Sequence, residues 1–340
     1  MIAPVSIAIQ PRRRLYLPYI LLLALVLAWS AAWLVGRGMV ERRVDAWLGE
    51  ETAAGRQWTC PDRRIGGYPF RITLSCDGPT LQRADGVTAS LAGFRSVAQV
   101  YQPNHIITDL RSPLVLKGTG NAELELAWDT AQTSIRRSGE AVSRGSVVLT
   151  MPRVTVRSPG FEPFVNGGER LEAHLREAPA GAEPGRYDVA LKLTGTTLPM
   201  LDRMARSNDK LDLLLDLSTR NLPTTAAPDW RLALEAWRAA SGLLKVETLQ
   251  INKGNFRLTG KGDLSLDAER RLAGRIDLEV QGAEQLLQGA GLMPRGALGG
   301  LLGGVLGGNG RSARLPLVLE NGRAQIGPFP LGPLRPLYTP

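Results

Sequence analysis

From residue 56 onward, apolar and polar residues alternate with a period of two. "ELELAW" sets Leu124, Leu126 and Trp128 against Glu123 and Glu125, and "YDVALKL" sets Tyr187, Val189, Leu191 and Leu193 against Asp188 and Lys192. "KLDLLLDL" gives one apolar side of Leu211, Leu213, Leu215 and Leu217. "FRLTGKGDLSLD" offers Phe256, Leu258, Leu264 and Leu266, and "GRIDLEV" offers Ile276, Leu278 and Val280. Such alternation predicts strands with one buried and one wet face, as in antiparallel sheets. Asp85-Gly86 and Asn321-Gly322 supply hairpin-turn chemistry. Helices are few: 228–241, with Trp230, Ala233, Leu234 and Trp237 on one side, and two shorter candidates at 198–207 and 283–293. The last two follow similar strand-glycine contexts, which hints at a duplicated unit.

The pattern breaks at the N-terminus. Leu15–Val35 holds no charge and, as a helix, spans ~31 Å, enough to cross a bilayer core. Tyr16 and Tyr19 mark one interface and Trp33 the other. The run exceeds the apolar core of a cleaved signal, so it reads as an uncleaved signal-anchor. In "MVERRVDAWLGEETAAG", Val40, Val44, Trp47 and Leu48 share one helical face. The membrane helix is therefore expected to continue as an amphipathic segment that docks on the sheet and ends at Gly55.

The resulting fold class is mainly β with a few helices. An N-terminal transmembrane helix precedes a large curved antiparallel sheet or sheets, with short helices covering the apolar face. The expected organisation is a cytoplasmic tail (1–14), the anchor (15–36), the amphipathic helix (37–55) and a β-rich periplasmic region (56–222). A second β-rich region (223–340) contains helix 228–241, a glycine-rich stretch (294–310) and a proline-rich end. The glycine pairs of 294–310 lack the Lys-Ser/Thr of a phosphate loop and predict a mobile or marginal helix. The proline-spaced end predicts an extended segment laid on the sheet.

Orientation rests on two cysteines, because arginines flank the anchor equally at 12–14 and at 37, 42 and 43. Cys60 and Cys76 bracket "PDRRIGGYPFRITLS". "RQWTC" and "FRITLSC" read as adjacent strands able to bring the sulfurs within bridging distance. A structural disulfide is preferred over two buried thiols, and it persists only in an oxidising compartment. That places the body outside the cytoplasm, with the N-terminus inside. Gly66, Gly67, Tyr68, Pro69 and Phe70 are the candidate special turn, a stapled structural turn rather than a ligand contact.

The formal charge is +9, carried by scattered arginines rather than one basic element, so a nucleic-acid partner is not expected. A solvated surface with mild attraction to anionic lipid is the better account. His105, placed in a loop, and His174 are isolated. No metal-ligand spacing or nucleophile elbow occurs, so no catalytic residue, metal or cofactor is expected.

At "IGGYPFRITLSC" and "LPLVLENGRAQIGPFPLGPLRPL" the chain resembles an uncharacterised bacterial envelope family, domain of unknown function 2125. Residues 256–280 more distantly resemble the repeats of AsmA-like envelope proteins, a β-rich, membrane-anchored group with some members implicated in moving or organising lipids. The resemblance implies no catalytic residues. The expectation is a non-enzymatic bacterial inner-membrane protein with its bulk in the periplasm, binding or handling membrane lipid. The candidate apolar sheet face comprises Leu211, Leu213, Leu215, Phe256, Leu258, Leu264, Leu266, Ile276 and Leu278. The same face could instead meet an envelope protein partner, as a scaffold, and a hydrolase is the remote alternative. Alternation alone leaves a closed core and an open groove both possible.

Overall fold

The computed structural model describes residues 13–118, 121–139, 141–178, 185–199, 202–203, 207–222, 230–282, 312–327 and 329–338. The glycine-rich stretch, the helix expected at 283–293, half of that at 198–207 and the first twelve residues lie outside them.

Helix α1 (Arg13–Ala53) runs unbroken from the apolar segment through the amphipathic one. Its apolar part is long and apolar enough to cross a membrane. Gly55 follows its end with φ +76, a conformation that glycine adopts without steric cost. Glu51 clamps this end to strand β1 (Arg56–Thr59): Arg56 donates to it at 2.6 and 2.7 Å, and the Trp58 indole N–H at 2.9 Å. The Arg56 guanidinium, then the Trp58 N–H, hold the Glu51 carboxyl at about 2.

All described strands form one antiparallel sheet that does not close into a barrel. It is a meander in which each strand line pairs with the line before it. β2 (Arg64–Gly66) pairs with β3 (Arg71–Asp77), whose line continues as β4 (Thr80–Arg83), and both lie on β5 (Thr88–Gln99). β6 (Gln102–Lys117) follows and carries β7 (Glu123–Ala127) and β8 (Thr130–Ser138) end to end. β9 (Ala141–Thr150) and β10 (Arg153–Arg157) form the next line, then β11 (Phe164–Gly167) and β12 (Arg170–Glu177). The lines from β13 (Tyr187–Thr196) to β17 (Leu272–Gln281) are single strands: β14 (Leu211–Arg220), β15 (Leu243–Lys253) and β16 (Phe256–Leu266) lie between. β18 (Ala313–Glu320), β19 (Arg323–Ile326) and β20 (Phe329–Pro333) complete the sheet. β14 and β15 pair along their length, so the regions on either side of residue 222 share one sheet.

A crease crosses the first half. Lines break at Gly78-Pro79, Trp128-Asp129, Met151-Pro152 and Gly168-Glu169, and β5–β6 shifts register beside them. Hydrogen bonds join the breaks laterally: Gly78 N–H donates to the Ala92 carbonyl (3.1 Å), Asp129 N–H to Thr150 (3.0 Å) and Met151 N–H to Glu169 (2.8 Å). Aligned irregularities of this kind bend a sheet without unpairing it.

The structure alters two sequence expectations. β1 pairs with β4, not with the cysteine-bearing strand, because "PDRRIGG" is long enough to form β2 on the outer side of β3. His105 lies within β6, its Nε2 2.8 Å from Ser134 Oγ, since Pro103 is tolerated near the start of that strand. Of the short helices expected to cover the apolar face, the described residues contain one of appreciable length, α2 (Trp230–Ala239).

Helix α2 is latched at one edge. The buried Trp237 donates to the Arg220 carbonyl at 2.8 Å. Glu235 accepts from Arg238 (2.6 Å), Arg270 (3.0 Å) and the Tyr338 hydroxyl (2.7 Å), tying the C-terminal segment to the helix. Chiefly through the Arg238 guanidinium, then the Tyr338 hydroxyl, its carboxyl is held down at about 2. A folded value below the ordinary 4.5 stabilises fully above pH 4.5, and the effect is lost as pH falls toward 2. Glu235→Gln should therefore flatten part of the acid loss of thermal stability between these values. Superimposable wild-type and variant melting midpoints across that range would refute the latch.

Candidate functional site

The candidate site is the apolar face itself, and the register builds it. One row of directly paired residues begins Cys76, Phe94, Leu110, Ala131, Leu149, Leu171. It continues Leu193, Leu213, Ile251, Leu258, Val280, Ala313. Twelve consecutive strand lines thus present an apolar or small side chain in one row. A parallel row runs Leu175, Val189, Leu217, Val246, Gly262, Ile276, Leu317 and Ile326. The intervening row includes Leu191, Leu215, Leu249, Gly260, Leu278 and Leu315.

All nine candidate residues lie on this face. Leu211, Leu213 and Leu215 come from β14, Phe256, Leu258, Leu264 and Leu266 from β16, and Ile276 and Leu278 from β17. Ile276 and Leu278 are buried, joining Val246 and Val280 in one cluster. A second cluster on the same face joins Trp128, Ala131 and Leu149. Most of the remaining face, including Leu213, Leu215, Leu258, Leu264 and Leu266, is only half-buried. Gly260 and Gly262 make room: a Cβ on Gly260 would sit 2.7 Å from a Leu278 methyl, and one on Gly262 2.0 Å from the Arg275 carbonyl oxygen.

The opposite face is wet and charged. Arg95, Asp109, Gln132, Val148, Glu172 and Lys192 form one of its rows. Exposed pairs line it, such as Arg157 with Glu123 and Glu125 (both 2.9 Å) and Arg176 with Asp188 (2.7 Å). Exposed pairs of this kind add little stability, so they serve solubility and register more than stability. Much of the arginine is spent here, away from any single basic patch.

Over the first strand lines, α1 roofs the apolar face. Between them lies a cavity of about 320 Å³ lined by Val44, Trp47, Leu48, Trp58, Leu74 and Phe94, among others. Arg63, paired with Asp45 at 2.7 Å, also lines it. The Cys60–Cys76 disulfide closes its floor, with Cα atoms 5.9 Å apart and Cys76 fully buried.

Gly66 ends β2, and Gly67, Tyr68, Pro69 and Phe70 form the β2–β3 turn. Gly67 has φ +103, and a Cβ there would lie 2.7 Å from the Arg71 carbonyl oxygen. The turn docks on α1. Trp29 Nε1–H donates to the Pro69 carbonyl (2.9 Å) and Trp33 Nε1–H to that of Arg71 (3.0 Å). Ser30 Oγ lies 2.8 Å from the Tyr68 hydroxyl. The sequence marked Trp33 as an interfacial residue; in the structure it is buried under Tyr68, their rings 5.5 Å apart.

Sequence reasoning also missed Lys253. It lies on the apolar face between Leu211 and Phe256, is 2% exposed, and bonds the Asp202 carboxylate and Asp209 carbonyl. Its position two residues after Ile251 was a readable signal; its partners, far along the chain, were not. Among the described residues no cluster of His, Cys, Asp and Glu could hold a metal, and His174 meets only Glu172, at 3.4 Å.

These features define a class: a β protein whose single open sheet carries a continuous apolar face and is joined to one membrane-length helix. The chain belongs to the bacterial family described as "Uncharacterized protein conserved in bacteria (DUF2125)", whose model matches residues 33–335. No curated protein and no solved structure matches the chain.

The disulfide should matter for the roofed end. Replacing both cysteines (Cys60→Ser with Cys76→Ser) should lower unfolding free energy by about 3 kcal/mol, the effect of closing a loop of this size. Urea unfolding followed by tryptophan fluorescence measures it. An unchanged midpoint would show that the helix and β1 hold the cavity wall unaided.

Proposed function

We propose that this protein is a non-enzymatic component of the bacterial cell envelope. It is anchored in the inner membrane by α1 with its N-terminus in the cytoplasm, and it holds lipid acyl chains along the apolar face of its periplasmic sheet. The observation that carries this reading is the unbroken apolar row across twelve strand lines, much of it half-buried. A closed core would seal such residues. The aliphatic side chains of that row suit a hydrocarbon chain, at about 0.8 kcal/mol per buried CH₂. The disulfide supports the oxidising side of the membrane.

A photo-reactive phenylalanine at Leu215 or Leu264 in the full chain, in cells, should capture phospholipid on irradiation. The same group at Lys261, on the wet face, should not. Mass spectrometry of the purified adducts reads the result. A discrete protein adduct at the apolar positions would replace lipid handling with the scaffold role, and no adduct there would refute both.

A further inference from the structure

We propose that the tips of the β2–β3 and β5–β6 turns enter the bilayer leaflet on the body's side of the membrane, making the sheet itself a membrane-inserted element. This rests on the reading that α1 crosses the bilayer, and it adds where the sheet stands relative to that bilayer.

The argument begins with the charges that bound the apolar run. Arg14 precedes it and Arg37 is the next charge after it. With Arg14 kept in water, a core ~30 Å thick is filled by about twenty helical residues and ends near Val35. Trp29 lies six residues earlier, ~9 Å below that boundary at 1.5 Å per residue. Trp29, Ser30 and Trp33 are the residues that hold Tyr68, Pro69 and Arg71 by the three hydrogen bonds described above. Trp29 and Phe70 add a ring contact at 6.0 Å. Wherever residues 29–33 sit, the β2–β3 turn sits with them.

The second turn is carried along. Val100 N–H donates to the Phe70 carbonyl at 3.0 Å, so the Val100-Tyr101 turn adjoins the β2–β3 turn. The side chains these neighbouring tips leave uncovered are aromatic: Tyr68 is 53%, Phe70 63% and Tyr101 69% exposed. Tyrosine, with an apolar ring and a polar tip, favours the membrane interface. Where the turn meets α1 the polar groups are paired with one another, as a low-dielectric setting demands, while the exposed side chains of Arg71, Gln99 and Gln102 flank the two tips. The indole N–H groups meet carbonyls, and Ser30 Oγ meets both the Tyr68 hydroxyl and the Val26 carbonyl.

One consequence bears on the lipid reading. Ile72, which pairs with Ala98 on the apolar face, lies beside Gly36 of α1, its Cδ1 3.8 Å from a Cβ built there. The apolar face therefore starts at the level where the hydrocarbon ends.

The test uses the full chain in phospholipid nanodiscs of phosphatidylethanolamine and phosphatidylglycerol. Both native cysteines are bridged, so one introduced cysteine takes a nitroxide selectively. Collisions with oxygen and with a nickel chelate are compared at Tyr101→Cys, at Leu25→Cys within the helix, and at Phe161→Cys in the β10–β11 connection, at the opposite ends of the strands. The oxygen-to-nickel ratio at 101 should approach that at 25 and exceed that at 161. A hydrocarbon-like ratio at 25 with a water-like ratio at 101 would overturn the insertion and leave the anchor standing. A water-like ratio at 25 would overturn the anchor and the insertion with it. If Tyr101→Cys frees the native thiols and so has not folded, Gln102→Cys, one residue along the same turn, gives the same reading.

Discussion

Every feature of this protein depends on strand register. The sheet is a meander, so each line inherits its register from the one before, and side chains alternate with a period of two. A slip of one residue anywhere would turn the following leucines onto the charged face. Pairing of apolar with apolar residues from Cys76 to Ala313 is what sets that register, line after line. The charged face reinforces it: shifting Arg157 from Glu123 and Glu125, or Arg176 from Asp188, would place these groups opposite the wrong partners. Individually weak pairs thus act through specificity.

A sheet with one apolar face must cover that face or leave it half-wet, and the two ends differ. At the first lines α1 provides the cover: Val44, Trp47 and Leu48 face Leu74 and Phe94 across the roofed cavity. The roof is fastened by the Glu51 clamp and by the hydrogen-bonded Tyr68-Pro69-Phe70 turn, while the disulfide fixes the floor. Beyond these lines the one appreciable short helix among the described residues, α2, is latched to the edge through Trp237 and Glu235. The apolar face there stays half-buried in its middle strands.

The alternation in "KLDLLLDL", "FRLTGKGDLSLD" and "GRIDLEV" made the strands and their apolar sides legible, because period two needs no partner to be recognised. The same holds for the membrane-length run, the helix beyond it and the Asn321-Gly322 turn, both of whose residues take positive φ. What remained hidden depends on residues distant in sequence. Nothing around Trp29 or Ser30 announces Pro69 or Tyr68, about forty residues on. Glu235 finds Tyr338 only because the C-terminal segment returns to the α2 edge. β1 was misplaced because its partner could be chosen only once "PDRRIGG" was known to form a strand of its own. Alternation likewise could not say whether the face was closed, since a core and a trough have the same period.

Position relative to the bilayer decides what such a trough could do under the proposed reading. Moving an acyl chain from a membrane into water costs about 0.8 kcal/mol per CH₂, which forbids exchange through solvent for a chain of ordinary length. Moving it from bilayer hydrocarbon onto half-buried leucines exchanges one apolar setting for another and leaves little net driving force. A trough separated from the membrane by water would therefore be isolated, however greasy its wall. A trough that begins at Ile72, against the helix at Gly36, could exchange chains along a continuous apolar path. Under that reading such near-balance favours passage over storage, and the docking of the Tyr68-Pro69-Phe70 turn on α1 would matter as much as the leucines do.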